Sequence, residues 1–248
     1  MQEARLPAGF KAEEERIRAA YRSRDAAPAK GTKRDPDNLG NRAYVGARNQ
    51  ALARLVADLD LLPVGNRRAL EIGCGTGTVL RELVELGADP RALVGVDILE
   101  HRVRSARRLA PLIRFETTWP DALEFPDASF DVAIAFTLFS SILSDRLAAR
   151  LAQEIRRVLK PNGTILYYDL RFPTPFNDEV RGLGRRDVGR LFPGWECKLQ
   201  SVTVLPPLVR RLGRANAILY PLLARIPWLR VSYIGAIHSP ASAQQRPG

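Results

Sequence analysis

Ala69-Leu70-Glu71-Ile72-Gly73-Cys74-Gly75-Thr76-Gly77 runs from a short apolar strand into a loop with glycine at every second position, after which Thr78 to Leu86 takes up helical spacing. Glycine lets the backbone turn tightly and approach a ligand without a Cβ in the way. The helix behind such a loop aims free N–H groups at negative charge. A second strand, Leu93 to Val96, ends at Asp97, twenty residues past Gly77. A carboxylate there can accept hydrogen bonds from two ribose hydroxyls. Strand, loop, helix and downstream acid together point to a nucleotide-type ligand. The dinucleotide fingerprint Gly-x-Gly-x-x-Gly fails, because its third glycine falls on Thr78.

Outward from this unit the chain keeps alternating. His101 to Leu109 reads as an Arg-rich helix, Ile113 to Thr117 and Phe130 to Phe136 as strands, and Asp145 to Leu159 as a helix stopped by Pro161-Asn162-Gly163. Thr164 to Asp169 is a fifth strand, and Cys197 to Leu205 and Val231 to His238 are two more. This α/β alternation predicts a doubly wound, mostly parallel sheet with helices on both faces. Ahead of it, Phe10 to Tyr21 and Tyr44 to Leu61 have helical spacing, separated by a basic loop over 25–42 that is expected to be mobile. The expected organisation is an N-terminal helical cap and basic loop over 1–66, a ligand-binding domain over 67–238 with an insertion at 206–230, and a disordered tail over 239–248.

Composition bounds the function classes. At 248 residues, 46% hydrophobic and 26% charged, the chain is globular in type. No apolar run reaches the roughly 20 residues of a membrane-spanning helix. The greasiest late stretch, Ala217 to Leu229, is cut by Pro221, Arg225 and Pro227. The N-terminal residues lack the apolar block of a secretory signal, so the expected location is the cytoplasm. Two cysteines, Cys74 and Cys197, are too few for a disulfide framework or a four-ligand zinc site, and no metal is expected. The net charge of +11 is uneven: residues 1–48 carry +4, 49–169 carry −1 and 170–248 carry +8. Such ends can attract an anionic or amphiphilic partner or a lipid surface, although 33 of 38 basic residues being Arg also fits solvated helix faces. No nucleic-acid module is recognisable, and no nucleic-acid partner is expected.

The stretch Glu71-x-Gly73-x-Gly75-x-Gly77 resembles the first motif of class I S-adenosylmethionine-dependent methyltransferases. Later segments agree in order: Asp121-Ala122 resembles the adenine-contacting pair, Phe125 to Val132 the approach to the fourth strand, and Arg157 to Gly163 the turn before the fifth. The segment after Asp121 is shorter than the common version, which can move the adenine contact to Trp119 or Leu123. The resemblance covers roughly Arg67 to Asp169. It implies a Rossmann-like, seven-stranded sheet whose last strand, Val231 to His238, is antiparallel. It also implies S-adenosyl-L-methionine as cofactor, S-adenosyl-L-homocysteine as product, and Glu71 near the methionine end. The residues expected around the cofactor are Glu71, Gly73, Cys74, Gly75, Thr76, Gly77, Asp97, Ile98, Asp121, Ala122 and Phe136. Cys74 reads as a small filler, with no His nearby to activate it.

Methyl transfer from a sulfonium needs a positioned nucleophile more than a strong base. Neither His101 nor His238 stands out as one. Residues at the carboxyl ends of the strands are the candidates. Asp169 can serve as general base or orienting acceptor, or simply pair with Arg171. Tyr44 joins it as a catalytic candidate, and Tyr44, Arg48, Ser140 and Arg171 as acceptor contacts. Pro206 to Leu229, apolar and arginine-bearing, can form a lid, rest on a membrane surface, or act as a plain helical cover or dimer contact. The expected activity is methyl transfer to an O or N of a small natural-product, sugar or amphiphilic acceptor, by a monomer or homodimer. Alternatives are a peptide, protein or nucleic-acid methyltransferase and a non-catalytic cofactor-binding or scaffold protein.

Overall fold

Strands buried on both faces read as unbroken apolar runs, and the centre of the sheet is built that way. β1 (Ala69–Ile72) and β2 (Leu93–Asp97) are buried along their whole length, as is β4 (Phe130–Phe136) apart from Asp131. β3 (Arg114–Thr117) lies at one edge. β5 (Leu159–Leu170), β6 (Glu196–Val204) and β7 (Arg230–His238) complete a seven-stranded sheet in the order β3-β2-β1-β4-β5-β7-β6. The first five strands are parallel, and β7 runs antiparallel to both β5 and β6. This computed structural model describes residues 8–27, 30, 35–61, 67–119, 123–173 and 177–240. Asp121, Ala122, residues 28–29 and 31–34 of the basic loop and the tail from 241 lie outside the described residues.

Strand order reverses between β1 and β4, so the loops that follow them diverge and leave a crevice at their carboxyl ends. The sheet is covered by α3 (Thr78–Glu85), α4 (Glu100–Leu109), α5 (Asp145–Val158) and α6 (Arg185–Leu191). One core, centred on Leu70, Ile72, Phe130, Leu151 and Tyr167, fills one face, and a second, centred on Leu80, Leu93, Ile134 and Tyr168, fills the other.

Three elements differ from the sequence reading. The two N-terminal helices are longer, α1 spanning Ala8–Ala26 and α2 spanning Leu39–Asp58. The side chain of Asn38 accepts from the amides of Gly40 and Asn41 and so starts α2 inside the stretch read as loop. Pro161-Asn162-Gly163 does not precede β5 but lies within it, as an irregularity between the Phe130–Leu159 and Val132–Thr164 pairings. Asn162 takes a left-handed φ of 64° to allow it.

The insertion between β6 and β7 is helical, with α7 (Pro206–Arg211) and α8 (Asn216–Leu223). Val209, Tyr220 and Leu229 pack with Val204 against Ala43 and Ala47 of α2. The approach is close: a Cβ on Gly40 would lie 2.2 Å from the Val209 carbonyl oxygen.

Candidate functional site

The glycine loop is held open by its own backbone. The amides of Gly73 and Cys74 both donate to the Val96 carbonyl, at 2.8 and 3.0 Å, tying the end of β1 to β2. Gly73, Gly75 and Gly77 have φ of 74°, 55° and 73°, a region that a side chain disfavours. A Cβ on Gly77 would strike Phe115 at 2.7 Å, whereas one on Gly75 would meet nothing nearer than the Arg102 guanidinium at 3.7 Å. Gly77 is therefore required by packing, and Gly75 by its turn and by whatever approaches it from the cavity.

Asp97 braces this loop. One carboxylate oxygen accepts from the Gly75 amide and the other from the Leu99 amide, each at 2.8 Å. Burial pushes its carboxyl above the usual range, against the pull of those two amides. Each oxygen keeps a second lone pair for a ligand hydroxyl. Glu71 is buried at the end of β1, and burial raises its carboxyl well above the ordinary value, opposed by the charge of Arg48. Its Oε2 has no hydrogen-bond partner.

Both acids line a cavity of about 640 Å3 at the carboxyl ends of the strands, within the ~300–1,000 Å3 typical of small-molecule sites. Gly73, Cys74, Gly75, Thr76, Ile98 and Phe136 line it too, as does Arg48. Gly77 stands behind it. Trp119 also faces the cavity with a buried, unpartnered Nε1, whereas Leu123 lies in the core and gives its amide to Glu154. The donor set suits an adenosyl-methionine group: an orphaned carboxylate oxygen for an ammonium, Asp97 for ribose hydroxyls, and apolar walls at Ile98 and Phe136. Cys74 is buried, and burial pushes its thiol far up, so it is no nucleophile at neutral pH.

The acceptor-side expectations fare differently. Asp169 is fully buried and does not line the cavity. It accepts from the Ser140 amide at 3.0 Å and the Leu170 amide at 2.9 Å, so it clamps the turn after β4. Burial raises its carboxyl to about 6. Its neighbour Tyr168 points the other way, as strand alternation requires, and faces the cavity. Tyr44 reaches the site only through Tyr168, the two hydroxyls being 2.8 Å apart. Ser140 is buried behind the wall. Arg48 pairs with Glu82 and Asn49. Arg171 does not pair with Asp169 but donates to the carbonyls of Pro227 and Arg230.

The cover is α1 rather than the insertion: among the described residues Ile17, Tyr21, Arg24 and Asp25 form the wall, and none of 206–230 does. α1 is fastened by Tyr21 to Ser141 (2.7 Å), by Arg18 to the Ile98 carbonyl (2.6 Å), and by Asp25 to both His101 and Arg102. The Arg102 bonds hold the Asp25 carboxyl down at about 2. Thr137, at φ 50°, is a further wall residue, within the Phe136–Ser140 stretch at the carboxyl end of β4. A strained residue after a strand leaves no mark in residue type. No group of three or more potential metal ligands occurs among the described residues.

Residues 69–163 match the family described as a methyltransferase domain. Among curated relatives, the fatty-acid O-methyltransferase of Mycolicibacterium smegmatis is 34% identical over 110 residues, 44% of this chain and 39% of that protein. The ribosomal protein L11 methyltransferase of Burkholderia cenocepacia is 33% identical over 134 residues, 52% of this chain and 41% of that protein. The demethylmenaquinone methyltransferase of Clavibacter sepedonicus is 35% identical over 179 residues, 71% of this chain and 64% of that protein. The chain thus spans about two fifths of the length of the first two. A SAM dependent methyltransferase from Archaeoglobus fulgidus shares the fold at 17% identity and a TM-score of 0.57, covering 83% of this chain and all of that one. Residues 69–163 thus carry a methyltransferase domain, set in a sheet whose fold is shared with solved S-adenosylmethionine-dependent methyltransferases.

Proposed function

We propose that the chain transfers the methyl group of S-adenosylmethionine to an oxygen or nitrogen of a small, amphiphilic acceptor. What supports this most is the cavity itself: the unpartnered Oε2 of Glu71 and the Asp97 brace at the cofactor end, and Ile17, Tyr21, Leu138, Ser141 and Ile142 around the rest. The bound cofactor supplies an electrophilic methyl on a sulfonium with an activated leaving group. Glu71 receives the ammonium of its methionine part, Asp97 the ribose, and Phe136 and Ile98 exclude water.

The other cavity carboxylate, Asp25, is committed to Arg102 and His101. Catalysis then rests on positioning. An acceptor that arrives anionic, such as a carboxylate or phenolate, needs no proton removed at the site. This fits the named substrate of the fatty-acid relative. In this division of labour residues 1–66 cap the site and 67–238 bind the cofactor.

The test is methyl incorporation from labelled S-adenosylmethionine into a lipid and small-metabolite extract, with Asp97→Ala beside the wild type. Label in extractable small molecules, lost in the variant, supports the reading. Label only in protein favours the L11-like alternative. Cofactor binding without transfer to any fraction favours a non-catalytic role.

A further inference from the structure

The insertion between β6 and β7 has two different sides. One packs on α2, as described. The other presents Ile218, 73% exposed, and Leu222, 50% exposed, one helical turn apart on α8, with Trp228, 73% exposed, on the turn that closes the insertion. Leu219 and Leu205 add to this surface. Exposed apolar groups of this size gathered in one short segment mark a contact surface rather than a random scatter.

The charges around them have one sign. Arg211, Arg214 and Arg225 are exposed in the same segment, and none takes part in a described salt bridge. The last acidic residue of the chain is Glu196, so nothing in the insertion offsets them. Aliphatic side chains, an exposed tryptophan and unopposed arginines together match the boundary layer of an anionic bilayer, where apolar groups enter and guanidinium groups meet phosphate. A second copy of the same face would set arginine against arginine.

Topology puts this surface beside the site. The insertion leaves the sheet at Val204 and returns at Arg230, which pair with each other. Ser232 pairs with Leu170 at the carboxyl end of β5, the edge where the cofactor crevice opens. α2, on which the insertion rests, carries Arg48 of the cavity wall and Tyr44, which holds Tyr168.

We propose that α8 and the Trp228 turn dock this protein on anionic lipid, with the cavity edge held at the membrane surface. The docking claim stands on the surface alone. Only its corollary, that an amphiphilic acceptor is met at the interface, rests on the proposed methyl transfer.

The experiment is co-sedimentation of the full chain with vesicles of equimolar phosphatidylcholine and phosphatidylglycerol, and with pure phosphatidylcholine, at low and high salt. The expected result is partitioning onto the anionic vesicles, weakened by salt, with a blue shift of tryptophan emission that Trp228→Phe removes. Two variants separate the contributions: Ile218→Ser/Leu222→Ser/Trp228→Ser, and Arg211→Glu/Arg214→Glu/Arg225→Glu. Each should lower partitioning by roughly tenfold or more. Calorimetric binding of S-adenosylhomocysteine should stay unchanged, which verifies that both variants are folded. Failure of the wild type to sediment with anionic vesicles at low salt overturns the proposal. So does equal sedimentation of wild type and variants. Self-association that the apolar variant abolishes, without vesicle binding, would assign the face to a second copy instead.

Discussion

The Asp25 carboxylate at the end of α1 grips the Arg102 guanidinium of α4, Nε to Oδ2 at 2.7 Å, across the mouth of the cofactor cavity. His101 Nε2 meets the same oxygen at 2.8 Å. A helix far from the glycine loop in sequence is thereby latched to the residues that follow Asp97.

Asp25→Asn should weaken that latch without disturbing the core. S-adenosylhomocysteine should dissociate several-fold faster, and α1 amides should exchange hydrogen faster, while Tm stays within a few degrees. Because pairing holds this carboxyl at about 2 against an ordinary 3.8, its contribution is complete above the ordinary value and lost as pH falls toward the lower one. Unchanged dissociation in stopped-flow measurements would show that α1 is not the latch.

Gly75→Ala forces a side chain into φ 55° and into the cavity. The backbone cost is about 1–2 kcal/mol. Calorimetry should show cofactor affinity falling by roughly tenfold or more, a larger loss than the drop in stability accounts for, because the new methyl occupies ligand space.

Asp169→Asn addresses pH. Burial raises this carboxyl to about 6 from 3.8, so between those values the folded chain holds a proton that the unfolded chain has lost. Stability therefore falls as pH rises through that window and is flat above it, by about 3 kcal/mol for this group. The Asn variant, which cannot titrate, should lose that slope in calorimetric scans across the window. A clamp is also expected to leave any pH profile of transfer unchanged, which a general base would not.

Gly40→Ala drives a methyl against the Val209 carbonyl and prises α7 from α2. A loss of about 1–3 kcal/mol is expected in denaturant unfolding. Cofactor binding by the folded fraction should remain within a few-fold, since the displaced contact lies outside the cavity.

The parallel core was legible because its signals are local. Unbroken apolar runs mark buried strands, and Glu71 to Gly77 with Asp97 marks the crevice. Which residues of the N-terminal cap face the cavity was not, because Tyr21 and Asp25 acquire their meaning only when α1 crosses to Ser141, His101 and Arg102. Asp169 misled for a related reason. It does sit at a strand end, but alternation along β5 gives the cavity to Tyr168 and leaves Asp169 facing the turn at Ser140. Asn38 and the bulge at Asn162 moved element boundaries by capping and by a left-handed residue, effects that hydrophobic spacing does not carry.

The order β5-β7-β6 has a kinetic consequence. β6 precedes β7 in the chain but touches the sheet only through it, so Glu196–Val204 cannot join the sheet before Arg230–His238 is there to pair with it. Closing the loop between them spends entropy before either pairing is complete. The α2-facing side of the insertion, with Val209, Tyr220 and Leu229, can offset that cost by collapsing early on Ala43 and Ala47. Assembly of this half of the sheet is then a late, non-local step. Mutations in the Val209 cluster should slow refolding more than they speed unfolding.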